Sequence, residues 1–235
     1  MSLVLLPNEI VLDIAQYLDA RSLNALLRSC RHLTLLLSPL LYNLALEDHD
    51  GVPPLIVAAE RGYEFLARVL LQRGVEVDPK VLRYQYERGL RAGYELVTPL
   101  RQAVVFRHEP VVELLLSNGA DVVIPSAPSA PRKTLLHLAV GSGSETITRL
   151  VLEHGAGIID IDMVRKSTSE TALHRAARDG QTRIVELLLE WGADATVRNR
   201  WGDTAMGGAV RYGCVEVVRI LSEHGSGRFG RRVAG

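Results

Sequence analysis

One segment recurs five times in this chain with a constant internal length, and little else can fold from such a pattern. Each copy opens on a short start signature: Pro53-Pro54-Leu55-Ile56, Thr98-Pro99-Leu100-Arg101, Thr134-Leu135-Leu136-His137, Thr171-Ala172-Leu173-His174 and Thr204-Ala205-Met206-Gly207. Each closes on a glycine: Gly74, Gly119, Gly155, Gly192 or Gly225. Start and stop are 21 residues apart every time, whereas successive starts are 45, 36, 37 and 33 residues apart. Rigid units with variable connectors are the signature of a stacked repeat array.

The local chemistry predicts two helices per unit. Threonine at a helix N-cap can accept a hydrogen bond from an unpaired N–H one turn on, and proline just inside a helix forfeits only an orphan donor. Small residues then line the first helix (Ala58-Ala59, Ala103-Val104, Ala139-Val140, Ala176-Ala177, Ala209-Val210) and let a neighbour approach closely. A glycine follows in four copies, at Gly62, Gly143, Gly180 and Gly213, suited to a left-handed helix end. The second helix carries a bulky stripe such as Ile184-Val185-Glu186-Leu187-Leu188-Leu189 at helical spacing. Gly192 and its equivalents are expected to stop it in the same left-handed way. A lone helix pair hides too little apolar surface to offset the entropy of ordering it, so the units must stack on one another.

Thr171-Ala172-Leu173-His174, Ala176-Ala177, Gly180, Ile184-Val185, Leu187-Leu188-Leu189 and Gly192-Ala193-Asp194 resemble an ankyrin repeat. That resemblance implies an all-α solenoid of helix-turn-helix units over residues 47–227, with units near 48–78, 94–122, 130–159, 167–197 and 199–227. The fifth unit lacks both Pro and His in its start and places Gly207-Gly208 inside a helix, as a frayed terminal unit would. Such arrays bind protein partners through the turns between units and the open face of each first helix. Those positions include Val57, Glu60 and Arg61, then Gln102, Phe106 and Leu138, and finally Arg175, Arg178, Asp179 and Tyr212. The longest insertion, 79–97, holds Tyr84, Tyr86 and Tyr94, either exposed on a binding loop or packed back in an extra helix. Trp201 is expected at a turn tip, where a large ring is hard to bury and suits contact with a partner. The candidate target-binding set is therefore Tyr84, Tyr86, Arg175, Arg178, Trp201 and Tyr212. The Pro/Ser/Ala-rich stretch 124–132 is expected to be an extended loop, and residues 228–235 a disordered tail.

Residues 1–46 follow a different pattern. Pro7 opens a helix in which Ile10, Ile14 and Leu18 share a face; Leu23, Leu26, Leu27, Cys30 and Leu33 mark a second helix, and Leu35–Tyr42 a third. Three short helices this rich in leucine carry more apolar surface than they can hide among themselves. Leu6-Pro7, Glu9-Ile10, Ile14, Leu18-Asp19, Ser22-Leu23, Leu26 and Cys30-Arg31 resemble an F-box. Many F-boxes follow Cys-Arg with a tryptophan two residues on; here His32-Leu33 follows instead. The resemblance implies docking on the Skp adaptor of a cullin–RING ubiquitin ligase through Leu6, Pro7, Ile10, Leu18, Leu23 and Leu26, with the repeats holding the target. The alternative is that these helices only cap the first repeat of a scaffold or inhibitor protein with no ubiquitin role.

Composition narrows the field further. The chain carries 27 basic and 27 acidic residues, without the basic excess a phosphate-tracking surface needs, so nucleic acid is not an expected partner. Its two cysteines, Cys30 and Cys214, stand apart from any second ligand pattern, so neither a disulfide framework nor a metal site is indicated. The apolar opening is too short for a signal sequence, and no apolar run is long enough to span a bilayer. The expectation is a cytoplasmic or nuclear protein, monomeric on its own, with no cofactor. No catalytic residue is assigned. His137 and His174 are read as hydrogen-bonding within their own capping turns, and Ser142 among its glycines lacks the strand a nucleophile elbow requires.

Overall fold

The computed structural model describes Ser22 and residues 52–87, 90–123 and 134–225. The candidate adaptor contacts Leu6, Pro7, Ile10, Leu18, Leu23 and Leu26, the 124–132 stretch and the 228–235 tail lie outside those residues. Two compact units are formed, Met1–Val81 with Val97–Asp121 and Leu82–Leu96 with Val122–Gly235.

In the first unit, α1 (Pro54–Arg61) and α2 (Glu64–Gln72) make repeat one, and α3 (Pro99–Val105) and α4 (Glu109–Ser117) make repeat two. The first helices pack on each other, α1 on α3, and the second helices likewise, α2 on α4. Leu55, Ile56, Leu66, Leu70, Leu100 and Leu115 are fully buried between them. The second unit contains α5 (Leu135–Ser142) with α6 (Glu145–His154), α7 (Ala172–Arg178) with α8 (Thr182–Glu190), and α9 (Ala205–Arg211) with α10 (Val215–Gly225). Here α5, α7 and α9 pile in one row and α6, α8 and α10 in another. The stripes foreseen from helical spacing face inward, with Leu173, Ile184, Val185, Leu187 and Leu188 all buried.

The capping chemistry follows the start signature. The side chains of Thr98, Thr134, Thr171 and Thr204 each accept a hydrogen bond from the N–H three residues on. Pro53 leaves repeat one without a side-chain cap, and Pro54 at the first helical position has no N–H to satisfy. Repeat two has no glycine after its first helix, and Arg107 takes the left-handed conformation there with φ 62°. Its neighbour His108 lies against Gly62 of repeat one, its Nδ1 only 2.5 Å from where a Cβ would stand, and Nε2 donates to the Glu60 carbonyl at 3.0 Å.

Three expectations are corrected. Gly155 is not left-handed (φ −93°), and Gly157 takes that conformation instead. Gly155 is required for space, since a Cβ there would stand 2.3 Å from the Ile159 side chain. Gly225 ends within α10 and has no positive φ. The 79–97 insertion does not form the extra packed helix that was one alternative to a binding loop. It is a two-stranded hairpin, β1 (Val81–Glu87) paired with β2 (Leu90–Val97). Two short runs rich in β-branched, leucine and tyrosine residues, separated by Arg88-Gly89, favour that pairing over a helix that Gly89 and Gly93 would weaken.

Candidate protein-binding surface

The second unit builds a surface at its turns from hydrogen bonds that run from one repeat to the next. Thr134 Oγ1 lies 2.7 Å from Nδ1 of His137, whose Nε2 lies 3.0 Å from the Glu170 carbonyl. Thr171 Oγ1 lies 2.9 Å from Nδ1 of His174, whose Nε2 lies 3.1 Å from the Asp203 carbonyl. A carbonyl can only accept, so Nε2 carries the proton in both rings and Nδ1 accepts. His174 closes a capping box on Thr171 and His137 bonds the capping hydroxyl of Thr134, both within their own turns as the sequence suggests. Each also clamps the turn that leads into the following repeat. Burial pushes the His137 pKa below the usual 6.5, opposed by its bond to the Glu170 carbonyl.

The clamp from His174 fixes the turn carrying Trp201. Asn199 Oδ1 accepts from the N–H groups of both Trp201 and Asp203 at 3.0 Å, and Gly202 is left-handed at φ 82°. Arg200 anchors the flank by donating to the Ser167 carbonyl at 2.7 Å, and its guanidinium stands 5.5 Å from the centre of the Trp201 ring. The ring itself is 58 % exposed. Across from it, Tyr212 caps the end of α9 and is 61 % exposed.

Between these rings lies a cavity floored by Glu170 and His174. Arg178 and Arg211 also line it, each held by a carboxylate: Arg178 Nη1 to Glu170 at 2.8 Å and Arg211 Nη2 to Asp203 at 2.7 Å. Three residues of the sequence-derived target set, Arg178, Trp201 and Tyr212, therefore meet around one depression. Arg175 lies one turn earlier on α7, paired with Asp179, and does not line the cavity. Tyr84 and Tyr86 fall on β1, and their side chains lie outside the described atoms.

Elsewhere the open-face expectation fails twice. Val57 and Gln102 are buried, and Gln102 is held by Arg101 Nη1 at 3.0 Å while its own amide donates to Glu60 at 3.3 Å. Arg101 stands where repeats three and four carry His137 and His174. Glu170, His174, Asn199, Asp203, Gly208 and Arg211 line the cavity without having been assigned to the target-binding set. The turn carrying Trp201 was legible in Asn199-x-x-Gly202-Asp203, but the Glu170–Arg178 pairing had no signal in the spacing. Among the described residues no cluster of His, Cys, Asp and Glu could hold a metal ion, and no helix is long and apolar enough to cross a membrane.

A family model described as ankyrin repeats in three copies matches residues 23–126 and again 125–199. The chain belongs to the ankyrin-repeat family. It is accordingly a protein–protein interaction module. An ankyrin repeat-containing protein of Treponema pallidum is 32% identical over 115 residues, covering 49% of this chain and 34% of its own length. An ankyrin repeat protein of fowlpox virus is 33% identical over 102 residues, 43% of this chain and 26% of its own. The mouse ankyrin repeat and SOCS box protein 16 is 37% identical over 112 residues, 46% of this chain and 22% of its own. The matched stretch spans about a third or less of each relative's length.

Proposed function

We propose that this ankyrin protein is the substrate receptor of a Skp–cullin–F-box ubiquitin ligase. Repeats four and five hold a target protein around the Trp201–Tyr212 cavity, and the N-terminal segment docks on the Skp adaptor. The target end is carried by one observation: Arg178, Trp201 and Tyr212, which the repeat pattern places on the binding face, line a single depression. The adaptor end rests on the Leu6-Pro7 to Cys30-Arg31 pattern and its surplus of leucine. The mouse relative, by its name, also joins ankyrin repeats to a second motif, a SOCS box. In such a receptor the chain supplies no catalytic group; it raises the local concentration of target beside the enzyme that modifies it. The work would place it in the cytoplasm or nucleus, as a monomer until its partners bind.

One observation favours a second reading, a plain ankyrin scaffold. The ankyrin match begins at residue 23, inside the segment that the F-box reading gives to its second helix. Under that reading residues 23–46 cover the first repeat and have no adaptor.

Capture by purified Skp adaptor separates the two. The full chain should be retained, and Leu6→Ala with Pro7→Ala should weaken retention at least tenfold with the far-ultraviolet circular dichroism unchanged. No retention of the unaltered chain, or retention indifferent to both substitutions, would leave the scaffold.

A further inference from the structure

We infer that the cavity of repeats four and five selects acidic peptide segments bearing a large apolar or aromatic side chain; this rests on the target-binding reading above. The charges there are sorted by depth. Glu170 and Asp203 are only 6 % and 22 % exposed along their side chains, whereas their partners Arg178 and Arg211 are 27 % and 60 % exposed. What a partner meets is therefore guanidinium, with the carboxylates beneath. A cationic side chain would have to reach Glu170 past Arg178.

The arginines can serve a partner without abandoning their carboxylates. A guanidinium has five N–H donors; Arg211 gives Asp203 a bond from Nη2, and Arg178 uses Nη1 for Glu170 and Nε for Asp179. An incoming carboxylate adds as a further acceptor. Arg200, anchored at Ser167, adds a further guanidinium against the cavity-lining Trp201 ring. Trp201 and Tyr212 are exposed rings on backbone fixed by the Asn199 turn and the α9 terminus, so seating an apolar side chain between them costs little ordering. Such rigid aromatic anchors beside arginine are the groups that dominate binding energy at interfaces.

The test is a displayed library of random twelve-residue peptides, selected on the full chain and counter-selected on two folded variants. One is Trp201→Ala with Tyr212→Ala; the other is Arg211→Ala, and all three positions are exposed enough to spare the fold. The expected outcome is an enriched set that is net negative, carries an aromatic or large aliphatic residue, and binds at least tenfold more weakly to either variant. Its affinity should fall as sodium chloride rises from 50 to 300 mM, about the range over which surface charge is screened. An enriched set that needs Trp201 and Tyr212 but is neutral or basic would overturn the acidic class and leave the cavity as the target site. An absence of any peptide dependent on those two rings would overturn both.

Discussion

At the scale of single residues, the His137 clamp ties the stability of the second unit to pH. His137 accepts a hydrogen bond at Nδ1 and donates one at Nε2, so the neutral ring satisfies the site and burial depresses its pKa. A depressed pKa means the folded state resists a proton that the unfolded chain takes readily near pH 6.5. The clamp's contribution is whole above that pH and is lost as the pH falls below it. His137→Gln keeps a side chain able to close a Thr-x-x-Gln capping box but cannot titrate. Between pH 7.5 and about 5.5 the urea midpoint of the natural chain should drop further than that of the variant; parallel curves would show that His137 does not couple. The capping half of this device was legible from Thr134-x-x-His137. Its other half, the Glu170 carbonyl 33 residues away, was not, because a backbone acceptor leaves no mark on residue type.

Among the elements, α9 is where the repeat is weakest by composition. Neither Gly207 nor Gly208 has a positive φ, so neither needs to be glycine for its backbone. A Cβ at Gly208 would meet nothing within 4 Å, and one at Gly207 would meet Asp203 Cβ at 3.6 Å, ordinary contact. Replacing both with alanine should stabilise the protein by about 1–2 kcal/mol, read as a higher urea midpoint at unchanged slope; no gain would mean α9 is already frayed in the folded chain. The helices were readable because a period of 3.6 with threonine caps and glycine stops has few rival interpretations. The hairpin was not, since an apolar tyrosine-rich run of seven or eight residues suits a strand or a short helix equally well by periodicity. Arg107 is a second gap in legibility: the left-handed turn survives in repeat two without its glycine, because the neighbouring packing of His108 on Gly62 demands the turn.

Over the whole molecule, a stack whose repeats touch only their neighbours should lose structure from an end and not all at once. Leu188 of α8 lies between α6 and α10 and is fully buried, whereas Leu221 of α10 has α8 and α9 as its packed neighbours among the described residues. Positions that stacking buries in repeat four, Leu173 and Ala177, correspond to Met206 and Val210 in repeat five, and both of these are exposed. Truncating either leucine to alanine removes the same side chain at a cost of about 2–5 kcal/mol, but the consequences should differ in reach. With Leu188→Ala, amide exchange should quicken across α6 through α10, because the interfaces on both sides of repeat four are weakened. With Leu221→Ala, faster exchange should be confined to α9 and α10, while α5–α8 stay protected. The cavity lies between repeat four and this loosest repeat, so the second variant should also weaken the selected acidic peptides while α5–α8 remain folded. Uniform exchange in both variants would mean that the second unit unfolds as a single block and that its binding edge is no more mobile than its centre.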